Sequence, residues 1–275
     1  MHSWQAGDIE ANGIKLHYTR TGGNKPPVVL AHGFSDDGLC WTPVAEVLAP
    51  EYDVIMVDAR GHGGSAAPEQ GYGPAAQADD LAGVITGLGL RCPALLGHSM
   101  GAATTLALAG MYPELPGAIL LEDPPAWWVT QPEQSPQDED LQVRRRLSLM
   151  ALQQKTREQL IADQHAQTPS WSDAELGPWA DSKLRLSLTI VNRSGSAVVD
   201  WAAILPRIRC PALLITADPE QGAIVTSESA AALQALVPQL RIAHISGAGH
   251  SIRREQFGRY MEDVQAFLAG WQPQQ

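Results

Sequence analysis

Short, unbroken apolar runs recur along the chain at residues 27–31, 54–57, 93–96 and 118–121, and further strands are expected over 212–216 and 240–245. A strand with one wet face alternates apolar and polar residues. A strand covered on both faces reads instead as a continuous Val/Ile/Leu segment. The runs therefore predict strands buried on both sides. Near the N terminus the pattern differs: Ile14, Leu16 and Tyr18 alternate with polar residues just after Asn12-Gly13. That dipeptide is a strong turn signal, so residues 8–21 are expected to form a hairpin. Helical spacing falls between the runs. Ala78, Leu81, Ile85 and Leu88 line one side of a helix over 75–88, and further helices are expected over 41–48, 103–108, 230–236 and 253–268. Strands alternating with helices imply an α/β fold: a mostly parallel sheet with helices on both faces and right-handed crossovers.

The rhythm breaks between residues 124 and 198, where no buried-strand pattern occurs. Residues 138–163 read as amphipathic helix, with Leu141, Leu147, Met150, Leu152 and Leu160 as apolar points. Ser172 stands three residues before Glu175, the spacing of a capping box opening a second helix. The segment is expected to be a helical insertion (124–198) dividing a core domain into parts 1–123 and 199–275. Arg144-Arg145-Arg146 beside Asp138-Glu139-Asp140 reads as a solvated, mutually compensating helix face.

Composition narrows the function classes. With 275 residues, 44% apolar and 18% charged, the chain can bury a sizeable core. Its formal net charge of −11 argues against nucleic acid and anionic membranes as partners. Cys40, Cys92 and Cys210 form no disulfide framework, and Cys92 and Cys210, each just before a strand, read as small buried residues. Residues 1–5 lack the basic and apolar regions of a signal peptide, and no run is long enough to span a bilayer, so the cytoplasm is the expected compartment. No histidine pair has metal-ligand spacing, and no metal or other cofactor is called for.

The candidate chemistry begins at Gly97-His98-Ser99-Met100-Gly101, placed between an apolar strand and an apolar helix. In such a turn small flanking residues let Ser99 project from the strand end. A serine hydroxyl needs a base, a carboxylate to orient that base, and donors for an oxyanion. His250 lies in a Gly-rich loop, Gly247-Ala248-Gly249-His250, after the last strand. It would meet Ser99 at the carboxyl edge of the sheet. Of the other histidines, His98 is expected to point away from the site, His32 and His62 to brace loops, and His244 to be a core or surface residue. The expected oxyanion donors are the N–H groups of Met100, at a helix N terminus, and of Phe34, in the loop after His32-Gly33. Three strand-end carboxylates compete for the acid: Asp218 first, then Asp123, then Glu220.

These motifs, with Asp58-Ala59-Arg60-Gly61-His62-Gly63-Gly64-Ser65, make the chain resemble α/β-hydrolase fold proteins over nearly its whole length. The resemblance implies an eight-stranded, mostly parallel sheet with a helical lid inserted after the sixth strand, where residues 124–198 fall. Family members commonly carry the acid in a G-x-x-D loop after the seventh strand. Here Ala217 replaces that glycine, and three positions on stands Glu220 rather than Asp218. A minority, including the fungal zearalenone lactonases, place the acid after the sixth strand, which corresponds to Asp123.

The reading drawn from these features is a serine hydrolase of carboxylic esters or lactones, working as monomer or homodimer on small to medium apolar substrates. Trp127 and Trp128, following a strand end directly, are expected to face the substrate. C–C bond hydrolysis or perhydrolysis on the same triad is the alternative within enzymes. A ligand-sensing receptor with a slow triad is the alternative from another class.

Overall fold

The computed structural model describes residues 4–130, 136–192 and 197–271, and within these the side chains of 136–140 are left aside. Eight strands form one sheet: β1 (Gln5–Ala11), β2 (Ile14–Arg20), β3 (Pro27–Ala31), β4 (Asp53–Val57), β5 (Ala94–His98), β6 (Ala118–Glu122), β7 (Ala212–Thr216) and β8 (Leu240–His244). Their order is β1-β2-β4-β3-β5-β6-β7-β8. The first hairpin pairs antiparallel with itself and with β4, and from β4 onward every pairing is parallel. Asn12 and Gly13 take positive φ (49° and 74°) in the two-residue turn the sequence predicts.

The unbroken apolar strands are buried on both faces because successive side chains point to opposite sides. Val29, Ile55, Leu95, Ile119 and Leu214 feed one core, against helices α2 (Pro74–Gly87), α3 (Met100–Met111) and α8 (Ser227–Leu236). Val28, Leu30, Val54, Met56, Leu96, Leu120 and Leu213 feed the other, against α1 (Thr42–Leu48) and α10 (Phe257–Ala269). Cys210 is buried, as its small apolar reading requires, whereas Cys92 is only partly buried; Cys40 is buried as well. No helix among the described residues is long and apolar enough to cross a membrane.

Between β6 and β7 the chain is helical: α4 (Pro136–Gln153), α5 (Arg157–Gln167), α6 (Asp173–Arg185) and the single-turn α7 (Trp201–Ile204). Three local expectations are corrected. The single helix over 138–163 is two, because Thr156 caps α5 reciprocally with Gln159 and stops continuation from α4. Ser172 does precede α6, but its side chain makes no capping hydrogen bond. The Glu175 carboxylate is instead engaged by Arg254, whose Nε donates to it at 3.0 Å. The helix over 253–268 is likewise divided, into the single-turn α9 (Ile252–Glu255) and α10.

Candidate active site

Ser99 sits where β5 turns into α3, with φ 50° and ψ −113°. Such a backbone is costly for a residue with a Cβ and persists only where its surroundings over-determine it. Two hydrogen bonds do so here. The Ser99 N–H donates to the Glu122 carbonyl (2.9 Å), and its carbonyl accepts from Ala103 (3.0 Å). The flanking glycines leave no room for a side chain. A Cβ on Gly97 would lie 2.3 Å from the Gly101 oxygen, and one on Gly101 would lie 2.1 Å from the Ala31 oxygen.

His250 reaches Ser99 from the loop after β8. Its Nε2 is 3.0 Å from Ser99 Oγ and its Nδ1 is 2.6 Å from Asp123 Oδ2. The polar atoms thus run from a wholly buried carboxylate, through an imidazole about one-third exposed, to the hydroxyl. A carboxylate can only accept, so Nδ1 carries the proton and Nε2 is free to accept from the serine. The Asp123 carboxylate also accepts from the Ile224 N–H (3.0 and 2.9 Å to its two oxygens) and the Val225 N–H (2.9 Å). Asp123 itself has φ 41°.

The expectation that Asp218 orients His250 is therefore corrected. The Asp218 carboxylate accepts from His244 Nε2 (3.0 Å), the Gly247 N–H (2.8 Å) and Gln221 Nε2 (2.8 Å). These contacts, the Gly247 N–H foremost, hold its pKa below the usual carboxylate value. It braces the His250-bearing loop from below without touching the imidazole. Glu220 lies exposed on a short 3-10 turn, Pro219–Gln221, while the Nδ1 of His250 is taken by Asp123.

Met100 follows Ser99 directly, and Phe34 lies in the loop after β3. Met100 opens α3, so its N–H lacks a carbonyl from the preceding turn. The loop carrying Phe34 is a tight turn in which the Asp36 N–H donates to the Gly33 carbonyl at 3.1 Å. His32 braces it as expected, with Nδ1–H donating to Gly33 O (2.9 Å) while Nε2 accepts from the Ala59 N–H (2.9 Å). His62 is a buried brace that donates from Nδ1 to Arg60 O (2.8 Å). His98 does not point away. Its ring lies 4.8 Å from that of His250, and its Nε2–H donates to the His250 carbonyl at 3.0 Å.

Trp127 and Trp128 are half-buried and spent on the core. Trp127 lies 6.3 Å from the Trp201 ring, and the Trp128 indole N–H donates to Ser229 O at 2.8 Å. Their contacts anchor the start of the insertion to the core. Arg145 is not part of a purely solvated face, for its guanidinium lies 5.8 Å from the centroid of the half-exposed Phe34 ring. The side chains of Asp138, Glu139 and Asp140 fall outside the described residues.

The sequence reading missed a buried ionic cluster behind the Phe34 loop. Asp36 meets Lys183 Nζ (2.8 Å) and Arg254 (3.0 Å), Arg254 meets Glu175 (3.0 Å), and Arg253 meets Glu122 (3.3 Å). Burial raises the pKa of Asp36, but Arg254, Lys183 and Arg253 together outweigh it and hold the carboxyl well below the usual range. The doublets Asp36-Asp37 after Phe34-Ser35, and Arg253-Arg254 after His250, were its trace in the sequence.

A strand-end serine, a histidine from the last loop and a carboxylate after the sixth strand, all on an eight-stranded sheet, define a hydrolase of the α/β type. The sequence profile of the alpha/beta hydrolase family matches residues 28–261, and the chain belongs to that family. It is 31% identical over 249 residues to N-formylmaleamate deformylase of Pseudomonas putida KT2440, covering 90% of each chain. Among solved structures it resembles an N-formylmaleamic acid deformylase from Pseudomonas putida S16, with TM-score 0.77, 24% identity, 94% of this chain and 100% of the other. It also resembles an enol-lactonase from Burkholderia xenovorans LB400, with TM-score 0.73, 24% identity, 96% of this chain and 100% of the other.

Proposed function

We propose that the protein is a serine hydrolase that cleaves a carboxylic ester or lactone through an acyl-enzyme on Ser99. The observation that carries this reading is the unbroken relay from Asp123 through His250 to Ser99. His250 Nε2 takes the hydroxyl proton as Ser99 Oγ bonds to the substrate carbonyl carbon. The carbonyl oxygen becomes an oxyanion, received by the N–H groups of Phe34 and Met100. Collapse of the tetrahedral adduct expels the alcohol, which leaves with the proton held by His250. Water then attacks the acyl-enzyme, gives its proton to His250 and frees the acid, and the proton returns to Ser99. Asp123 stays ionised throughout and steadies the imidazolium.

The helical insertion serves as a lid in this reading, with Arg145 over Phe34 bringing a cation beside the oxyanion loop. That contact, together with the deformylase relative, favours a second reading of the substrate: an N-formyl or N-acyl amide that carries a carboxylate. With Trp127 and Trp128 anchored to the core, nothing in their contacts favours a strictly apolar substrate.

Two measurements test these readings. A fluorophosphonate should label Ser99 in the folded protein and fail to label the Ser99→Ala variant; absence of labelling refutes the serine mechanism. Parallel turnover of p-nitrophenyl acetate, a simple δ-lactone and N-formylmaleamate then ranks the substrate classes. If kcat/KM is highest for the last, the ester reading gives way to the amide one.

A further inference from the structure

The buried ionic cluster joins the proposed lid to the proposed oxyanion loop, and none of the reaction steps above uses it. Asp36, Glu122 and Glu175 face Lys183, Arg253 and Arg254, three carboxylates against three cations, each with side-chain exposure of 5% or less. Such a cluster is poor evidence for stability, because desolvation consumes most of what the ion pairs return. Its geometry points to another use.

Lys183, on α6, is the member that touches the loop backbone. Its Nζ donates to the Ser35 carbonyl (2.7 Å), to Asp36 Oδ1 (2.8 Å) and to Ser182 Oγ (3.2 Å). Ser35 has φ 65° and occupies the third position of the turn closed by Asp36 N–H and Gly33 O. A turn with positive φ at that position ordinarily takes glycine there. A serine holds it only when its neighbours over-determine the conformation. The ammonium on the carbonyl of Ser35 and on the next side chain is such a determinant. Phe34 N–H belongs to the same turn, so its direction depends on the same clamp.

We propose that Lys183 is a positioning residue. By gripping Ser35 O and Asp36 it keeps the turn in its left-handed form and aims the Phe34 N–H at the oxyanion. Turnover of the core site then depends on the seating of α6, a helix of the insertion. The inference rests on the serine-hydrolase reading above.

The test compares Ser99→Ala, Lys183→Met and the double variant Lys183→Met/Asp36→Asn, using p-nitrophenyl acetate turnover and inhibition by an aryl trifluoromethyl ketone. The ketone adds to the serine and presents a tetrahedral oxyanion. Lys183→Met should lower kcat by roughly 10²–10³, the loss seen when one oxyanion donor is removed, with KM within about threefold. Affinity for the ketone should fall by a similar factor. Lys183→Met leaves an unbalanced buried carboxylate and is liable to fold poorly. The double variant restores the balance at two against two, and its thermal midpoint should lie closer to wild type while kcat stays low. A folded variant with kcat within threefold of wild type, or a loss confined to KM, overturns the inference and leaves the serine mechanism standing. Full activity in Ser99→Ala overturns both.

Discussion

Asp123→Asn separates orientation of the base from every other property of the site. The carboxylate holds the Ile224 and Val225 N–H groups on one side and the His250 Nδ1–H on the other. An asparagine has one oxygen and one amide nitrogen. Two fixed backbone donors claim the oxygen, so the NH₂ group must face the imidazole. Nδ1 then has to accept, the ring proton moves to Nε2, and that proton points at Ser99 Oγ. The histidine is in place but in the wrong tautomer for a general base. An analogous triad change costs roughly 10⁴ in kcat, about 5.5 kcal/mol of barrier. The backbone bonds survive, so the variant should fold with a thermal midpoint near wild type. The assay is the pre-steady-state rate of fluorophosphonate labelling together with kcat on p-nitrophenyl acetate. Asp218→Asn is the matched control: its carboxylate contacts His244, Gly247 and Gln221, and kcat should stay within about threefold. Near-wild-type kcat in Asp123→Asn, or a parallel 10⁴ loss in Asp218→Asn, would refute the assignment.

Acid should unfold the protein earlier than its carboxylates require. Burial first, then His32, pushes His62 down to about 3 from 6.5, and burial, then Arg253 and His250, pushes His98 well below 6.5. Below pH 6.5 the unfolded chain binds protons that the folded chain refuses, so stability falls with pH by up to about 2.7 kcal/mol per pH unit for the pair. Urea unfolding at pH 6.5 and 5.5 reads that slope, and an unchanged free energy contradicts it. Gly101→Ala drives a Cβ into the Ala31 carbonyl and should abolish soluble, folded expression, as judged by far-UV circular dichroism. Trp128→Phe removes the bond to Ser229 O, and should cost about 1 kcal/mol in urea unfolding while kcat/KM stays within twofold. A larger fall in kcat/KM would return Trp128 to the substrate pocket.

The core strands were legible because burial on both faces leaves an unbroken apolar signature that few other elements share. Ser99 and His250 were legible for a related reason: the tight turns that expose them demand glycine at fixed offsets. The acid was not. A carboxylate at a strand end caps loops as readily as it orients a histidine, and Asp218 does the former with three donors around it. What separates it from Asp123 is the path of the chain after β7, which turns the Ile224 and Val225 N–H groups toward β6. That is a tertiary fact without a local pattern. Lys183 and Asp36 escaped for the same reason, being 147 positions apart in the chain and joined only when α6 settles against the loop. The break at Thr156 could have been read from its capping pair with Gln159, which a strong run of helix formers obscured.

Asp123 is the residue immediately after β6, and the next residue begins the path into the insertion. A cut in the chain anywhere between α4 and α6 would leave Ser99 and Asp123 on one fragment and His250 on the other. Neither half could then hold a complete relay, and hydrolysis would report their reunion. The same joint governs transplantation. A foreign insertion could replace residues beyond Pro125 without disturbing the acid, but its last helix would need its own cation to close on Ser35. On the role proposed for Lys183, the segment between β6 and β7 brings with it a contact that shapes the loop after β3.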